Sequence, residues 1–355
     1  MAGFGPSYVR LFHMVTMFEL YPSPPGSKPN IRVNNWFKST GHFLQSGQFV
    51  QATLRTSAHF QGLGLHAGLP VQMSVQPAAA GHGIVFQRTD IGGVQGRIEA
   101  RWDRVVPSKL CTVLANRAGA QVSTVEHLMA ALAGCGIHNA LIEIDGPEVP
   151  ILDGSAAPFV RAFLQAGVRE HSAPLTLLSV LRPVEVTQGQ ARAALAPADI
   201  FEIDFQISFA DAAIGAQGKT LNMANGAFVR ELCDSRTFCR QADVDFMRQN
   251  GLALGGTLEN AVVFDGARVL SPGGLRHRDE PVRHKMLDAL GDLALAGAPI
   301  LGRYTGVRAG HALTNRLLHA LFADRRNYAW VGVSQTNGGK LPGVGITHAD
   351  LAQHA

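Results

Sequence analysis

Val282-Arg-His-Lys-Met-Leu-Asp-Ala-Leu-Gly-Asp292 is the stretch on which the reading of the fold turns. Its apolar residues, continued by Leu293, predict a helix over 281–296. His284 and Asp288 are four residues apart, so they project from one face, and Asp292 extends that stripe by a turn. A histidine and a carboxylate so spaced can hold one divalent ion. The plain alternative is an exposed His–Asp pair. Met286, Leu287, Leu290 and Leu293, however, leave little of the helix free, and a polar group among them needs a partner.

Working outward, Val125-Glu-His-Leu-Met-Ala-Ala-Leu132 opens with the same Val-x-His. Strands are predicted before it at Val71–Val75, Gly83–Arg88 and Arg97–Arg101. Helices over Thr124–Ala133 and Ala156–Ala166 flank a strand at Asn139–Ile144, with Gly134 or Gly136 and Gly167 as their C-terminal caps. After Pro174 the pattern restarts with strands near Leu175–Val180, Arg192–Leu195 and Phe201–Ile207. A helix near Gly226–Cys233, an apolar insertion through 239–265 and helices at 281–296 and 312–322 follow. Each half reads as strands first, then a finish that includes two helices. The expected fold is therefore α+β, with two domains of similar topology, 51–173 and 174–329, arising from an internal duplication.

Residues 1–50 break that pattern. Pro-Ser-Pro-Pro-Gly at 22–26 and little periodicity predict a poorly ordered extension. The short apolar stretch at Val15–Leu20 contains Glu19 and lacks the features of a secretory signal. Residues 330–355 turn Gly-rich and are expected to fray as a C-terminal tail.

Hydrophobic residues are 46% of the 355 and charged residues 16%, a balance that excludes an intrinsically disordered chain. No uncharged apolar run reaches the roughly 18 residues of a membrane span. The net charge of +4 is scattered, without Lys/Arg runs or interleaved aromatics, which argues against a nucleic-acid partner and leaves room for a phosphorylated substrate or an anionic membrane surface. Cys111, Cys135, Cys233 and Cys239 form no C-x-x-C pair, so reduced thiols in a cytoplasmic protein are expected.

Three further segments can carry chemistry. In Ser123-Thr-Val-Glu-His127, Ser123 and Glu126 fit a helix capping box. Alternatively, His127 joins His284 and Asp288 as a third ligand, a fourth position is left for water, and Glu126 serves as a general base. In Arg308-Ala-Gly-His-Ala-Leu-Thr-Asn315, Gly310 permits a close backbone approach, and His311 is either a satisfied core residue or a general acid. In Ser235-Arg-Thr-Phe238, Thr237 is either an ordinary residue ending a short strand or a donor to an oxyanion.

Ser-Thr-Val-Glu-His-Leu128, Ile151-Leu-Asp-Gly-Ser-Ala-Ala-Pro-Phe159, Ser-Arg-Thr-Phe238, the 282–292 stretch and Gly310-His-Ala-Leu313 occur in this order. Together they closely resemble the UDP-3-O-acyl-N-acetylglucosamine deacetylase family of Gram-negative lipid A synthesis, over about Thr53 to Phe322. The resemblance implies two domains whose helix layers pack together, with the site between them. It implies Zn2+, or Fe2+ in cells, on His127, His284 and Asp288. It further implies Glu126 as base, His311 as acid, Asp292 orienting His311, and Thr237 beside the scissile carbonyl.

By the same resemblance Lys285 and Arg308 bind substrate, Phe209 and Phe238 lie near the sugar and nucleotide, and Cys111 lies near the metal. Leu65 and the segment Val244–Val263, Gly256 included, form the passage for an acyl chain. The implied reaction releases acetate from the 2-acetamido group of a UDP-3-O-acyl-N-acetylglucosamine, the committed step of lipid A biosynthesis. The implied protein is a cytoplasmic monomer that acts on a small UDP-sugar, makes at most transient contact with the inner-membrane surface and binds no nucleic acid.

The chain departs from the family pattern at Ala210-Asp211, where Asn-His is common, at Cys239-Arg240, where Gly and an apolar residue are common, and at Arg308, where Lys is common. A zinc amidase or peptidase of another substrate class would share the metal residues but have no use for the apolar insertion. A non-catalytic binding protein would show a broken constellation, whereas here every member is present.

Overall fold

The computed structural model describes residues 50–347 and 349–350, and along them the chain builds one arrangement twice. In the first half the strands lie side by side as Ala58–Leu63, Pro70–Pro77, Ala140–Ile144, Ile84–Arg88 and Arg97–Glu99. The strand that comes last in sequence, Ala140–Ile144, is central, antiparallel to Pro70–Pro77 and parallel to Ile84–Arg88. The second half repeats this with Val184–Gln188, Ala191–Ala196, Ile300–Val307, Phe201–Ser208 and Ala216–Asn222. Its last strand, Ile300–Val307, is again central, antiparallel to Ala191–Ala196 and parallel to Phe201–Ser208.

A parallel pair cannot be joined by a tight hairpin and needs a crossover, and helices supply it. Helix α1 (Glu126–Gly134) leads into the first central strand and α2 (Ala157–Ala166) leaves it. After a short α3 (Gln241–Gln249), α4 (Glu280–Ala294) and α5 (His311–Ala323) take the same places around the second. Each half also carries an outer antiparallel pair, Val50–Leu54 with Val168–Pro174 and Thr176–Val180 with Tyr328–Gly332. Each has a small three-stranded sheet inserted ahead of α1 or α4, the second of them with α3 between its first two strands.

The alternation Phe201, Ile203, Phe205, Ile207 turns one face of the second sheet inward, while Glu202, Asp204, Gln206 and Ser208 face outward. The helices cover the inward faces, and α1 packs on α4, with Leu128, Met129 and Leu132 sharing one core with Leu287, Leu290 and Leu293. Gly291 sets how closely they cross. A Cβ there would lie 2.0 Å from the backbone oxygen of Glu126, so no other residue fits this approach.

Several local expectations shift. The helix at 226–233 is a single π-helical turn, Phe228–Leu232. Helix α2 ends at Gly167, whose φ of 72° suits glycine, while α1 keeps Gly134 in its last turn and stops at Gly136, whose φ of 69° lets its own amide reach the Ala133 carbonyl and the Ile137 amide reach the Leu132 carbonyl. The tail expected to fray begins instead inside the strand Tyr328–Gly332 and goes on to bury Leu341 and Ile346, because Arg230 binds both the Asp350 carboxylate (2.7 Å) and the Gly345 carbonyl. The expectations for residues 1–49 and for 348 and 351–355 of the tail lie outside the described residues.

Candidate metal centre

Helix α4 carries a buried polar stripe at Glu280, His284, Asp288 and Asp292, four residues apart each time. Burial on this scale requires partners, and each residue has a different one. Glu280 receives the Arg236 guanidinium at 2.9 Å and the Arg236 and Arg276 amides, which fastens the 235–237 segment onto the start of the helix. That segment then presents the Ser235 carbonyl to His284 Nδ1 at 2.9 Å. With Nδ1–H donating there, Nε2 keeps its lone pair free for another bond.

His284 Nε2 lies 3.3 Å from Asp288 Oδ1, and His127 Nε2, arriving from α1, lies 3.5 Å from the same oxygen. One ligand atom from each of the three residues falls within 4.8 Å of the others. Asp288 Oδ1 is buried and accepts no hydrogen bond. A buried carboxylate oxygen without a donor, facing two imidazole nitrogens, fits a divalent cation, and a His₂Asp set suits Zn2+. Burial pushes the His284 imidazole down to about 4, so it is a neutral donor at neutral pH. Burial works against a charge on Asp288, but His284 and the Lys285 ammonium, 2.7 Å from Oδ2, hold its carboxyl well below the usual range.

Glu126 and His311 face this triad from two sides. Glu126, the first residue of α1, has its Oε2 bound by the Thr112 amide at 3.0 Å, while Oε1 lies 3.6 Å from His311 Nε2. Burial raises the Glu126 carboxyl, which moves a carboxylate toward the range of a working general base. The capping box is absent. Ser123 belongs to a strand, Val125 is the cap, and Glu126 is drawn away by a residue fourteen positions earlier.

His311 opens α5, and its Nδ1 donates to Asp292 Oδ2 at 2.8 Å. Burial opposes a charge on the ring, but Asp292, Glu126 and Asp288 overcome it and raise its pKa to about 9. Both Asp292 oxygens are thus engaged, Oδ2 by His311 and Oδ1 by the Thr112 hydroxyl at 2.6 Å. Gly310 is not needed for a close approach, since a Cβ there would meet nothing within 4 Å.

The family model described as UDP-3-O-acyl N-acetylglycosamine deacetylase matches residues 51–323. The chain belongs to this family. A UDP-3-O-acyl-N-acetylglucosamine deacetylase of Phenylobacterium zucineum (strain HLK1) is 52% identical over 280 residues, covering 79% of this chain and 95% of that one. Proteins of the same name from Shewanella sp. (strain W3-18-1) and Shewanella oneidensis are 46% identical over 286 residues, covering 80% of this chain and 92% of theirs.

The remaining positions carried by the family resemblance fall into two groups. Phe209 and Phe238 stack edge to face at 5.6 Å, and Phe238 lies 6.3 Å from the His284 ring, so Phe238 stands beside the triad with Phe209 against it. Thr237 precedes the strand Phe238–Arg240 and does not end one, and its amide donates to the Gly154 carbonyl at 2.8 Å. Leu65 sits farther along with the insertion. Its carbonyl accepts from the Gly255 amide at 3.0 Å, and its Cδ1 lies 3.5 Å from the point a Cβ on Gly256 would occupy. Cys111 is buried next to Thr112, and burial, with the Glu126 charge, pushes its thiol up to about 11.

Two of the departures meet each other, since Arg240 Nε and Asp211 Oδ2 form an ion pair at 2.7 Å. Arg308 is exposed and donates to the Gln190 side chain at 2.5 Å. Thr112, Ser235, Arg236, Glu280 and Gly291 position the site and were given no role in the sequence reading. Glu280 alone had a visible signal, one turn before His284.

Proposed function

We propose that this protein is a metal-dependent deacetylase that hydrolyses the 2-acetamido group of UDP-3-O-acyl-N-acetylglucosamine, giving acetate and the free 2-amine, in the committed step of lipid A biosynthesis. The observation that carries this reading is the convergence of Glu126 and His311, from α1 and α5, on the buried His127–His284–Asp288 set. The relatives' names supply the substrate class.

His127, His284 and Asp288 would hold the ion, Zn2+ or in cells Fe2+. The chemistry it supplies when bound is Lewis acidity toward a water and a carbonyl oxygen. Glu126 takes the proton of the attacking water on Oε1, the oxygen that Thr112 leaves free. Thr237 donates its hydroxyl to the oxyanion. His311, protonated and held by Asp292, gives its Nε2 proton to the departing nitrogen, which cannot leave as an anion. Lys285, Phe209 and Phe238 bind the sugar nucleotide, while Leu65 and the insertion around Gly256 hold the acyl chain.

The protein would do this as a cytoplasmic monomer, touching the inner membrane only transiently and binding no nucleic acid. Among the described residues no helix is long and apolar enough to cross a membrane. Mass spectrometry of UDP-3-O-acyl-N-acetylglucosamine incubated with purified protein tests the reading. Deacetylation that a chelator abolishes, and that is far slower on unacylated UDP-N-acetylglucosamine, is expected. Equal rates on both sugars would overturn the substrate assignment, and no conversion would overturn the activity.

A further inference from the structure

Cys111 and Thr112 lie in the short connection between the strands Val105–Val106 and Val113–Ala115, an irregular segment of the first half's small sheet. Thr112 is buried, and its two polar donors go to two different carboxylates of the site. Its amide donates to Glu126 Oε2 at 3.0 Å, and its hydroxyl donates to Asp292 Oδ1 at 2.6 Å. The two carboxylates come from different halves, Glu126 from α1 and Asp292 from α4.

In each case Thr112 occupies one oxygen and leaves the other directed at His311. Glu126 Oε1 lies 3.6 Å from His311 Nε2, and Asp292 Oδ2 lies 2.8 Å from His311 Nδ1. A carboxylate rotates about its last bond with little resistance, so an oxygen pinned on one side fixes where the second points. We propose that Thr112 is the positioning residue of the acid–base pair, coupling the orientation of the base Glu126 to that of the Asp292–His311 acid through one rigid residue. The inference rests on the acid–base reading above and adds to it a single residue that sets both partners at once.

The amide survives any substitution, so the hydroxyl is the testable half. Thr112→Val removes it at nearly constant volume. The expected result is a kcat lower by roughly 10–100-fold, the usual cost of losing a partner that orients a catalytic group. KM should change less than about twofold and metal content not at all, because neither substrate nor ion is touched. Thr112→Ser should restore kcat to within about threefold of wild type, since it returns the donor. In an Asp292→Asn background, adding Thr112→Val should cost less than about twofold, because the hydroxyl acts through Asp292.

A second readout does not depend on turnover. In metal-free protein at fixed pH, the His311 Nδ1–H resonance should shift in Thr112→Val and return in Thr112→Ser. A wild-type kcat in Thr112→Val, failure of serine to rescue it, or an equal cost in both backgrounds would overturn the proposal. If Thr112→Val does not fold, Thr112→Ala, which lacks the same hydroxyl, replaces it in the kcat, double-variant and resonance comparisons. If Glu126→Gln and His311→Gln keep wild-type rates, the acid–base reading itself fails. The His311 resonance then shows independently whether Thr112 orders the cluster.

Discussion

The first half and the second half share strand order, pairing directions and helix placement, yet they make unequal contributions to the site. Set against each other from their shared opening, α1 and α4 align Val125 with Val282, His127 with His284, Met129 with Met286 and Gly134 with Gly291. The two histidines kept at equivalent places are the two that face Asp288. The positions around them have diverged. Where α1 has Glu126, α4 has Arg283, which turns to Asp279 and Glu231 at 2.6 and 2.9 Å. Where α4 has Asp288, α1 has Ala131. The two helix starts thus each keep one histidine of the triad, while Glu126 stands in one half only and Asp288 in the other.

The strongest way to break this comparison is at the ligands. His284→Ala or Asp288→Ala should remove most bound metal and lower activity by on the order of 10³-fold or more, since two of three donors come from α4. Full metal occupancy by elemental analysis in either variant would show that the site has been drawn wrongly.

The next test uses the diverged pair. Glu126→Gln should keep the metal and lose on the order of 10²–10⁴-fold in kcat, the range for removing a general base. Its counterpart Arg283→Gln should leave kcat within about threefold, because a partly exposed ion pair contributes mainly a modest amount of stability. Similar losses in both variants would erase the division of labour between the halves.

The halves should also part company in acid. His138, at the entry to the first central strand, accepts a hydrogen bond from the Ala52 amide, and burial, with His171 nearby, pushes it down to about 4 from 6.5. Its folded pKa lies below its unfolded one, so the neutral ring stabilises the fold fully above pH 6.5, and that stability is lost as pH falls toward 4. At pH 5 the loss amounts to about 2 kcal/mol, with a shift of one pKa unit taken as about 1.4 kcal/mol. Hydrogen exchange should show strand Val50–Leu54 losing protection before Thr176–Val180, and the reverse order would refute the assignment.

The smallest expected effect is on the basic limb of the kcat/KM profile. Asp292 favours the imidazolium of His311, so Asp292→Asn should move that limb to lower pH, and an unmoved limb would separate His311 from the acid role.

Sequence reading saw what repeats at fixed spacing. The strand-then-helix rhythm of each half and the His284–Asp288–Asp292 stripe were legible because helical period alone puts those side chains on one face. The capping box failed because Ser123 and Glu126 satisfied a purely local rule, while a buried carboxylate follows the nearest available donor, here the Thr112 amide. Thr112 itself was invisible, since it lies in irregular chain and its partners are 14 and 180 residues away. The Ser235 carbonyl carries no side-chain signal at all. The link from Asp292 to His311 came through the family resemblance and not from spacing.

Gly291 touches no reacting atom, yet the missing Cβ leaves room for the Glu126 carbonyl at a point 2.0 Å away. Any larger residue there would act as a wedge, driving the helix that bears Glu126 and His127 off the helix that bears His284 and Asp288. A mutational survey of ligand-contacting positions would pass over it. Variation that retunes the site must therefore spare this crossing, because the contact between α1 and α4 has no slack left to give.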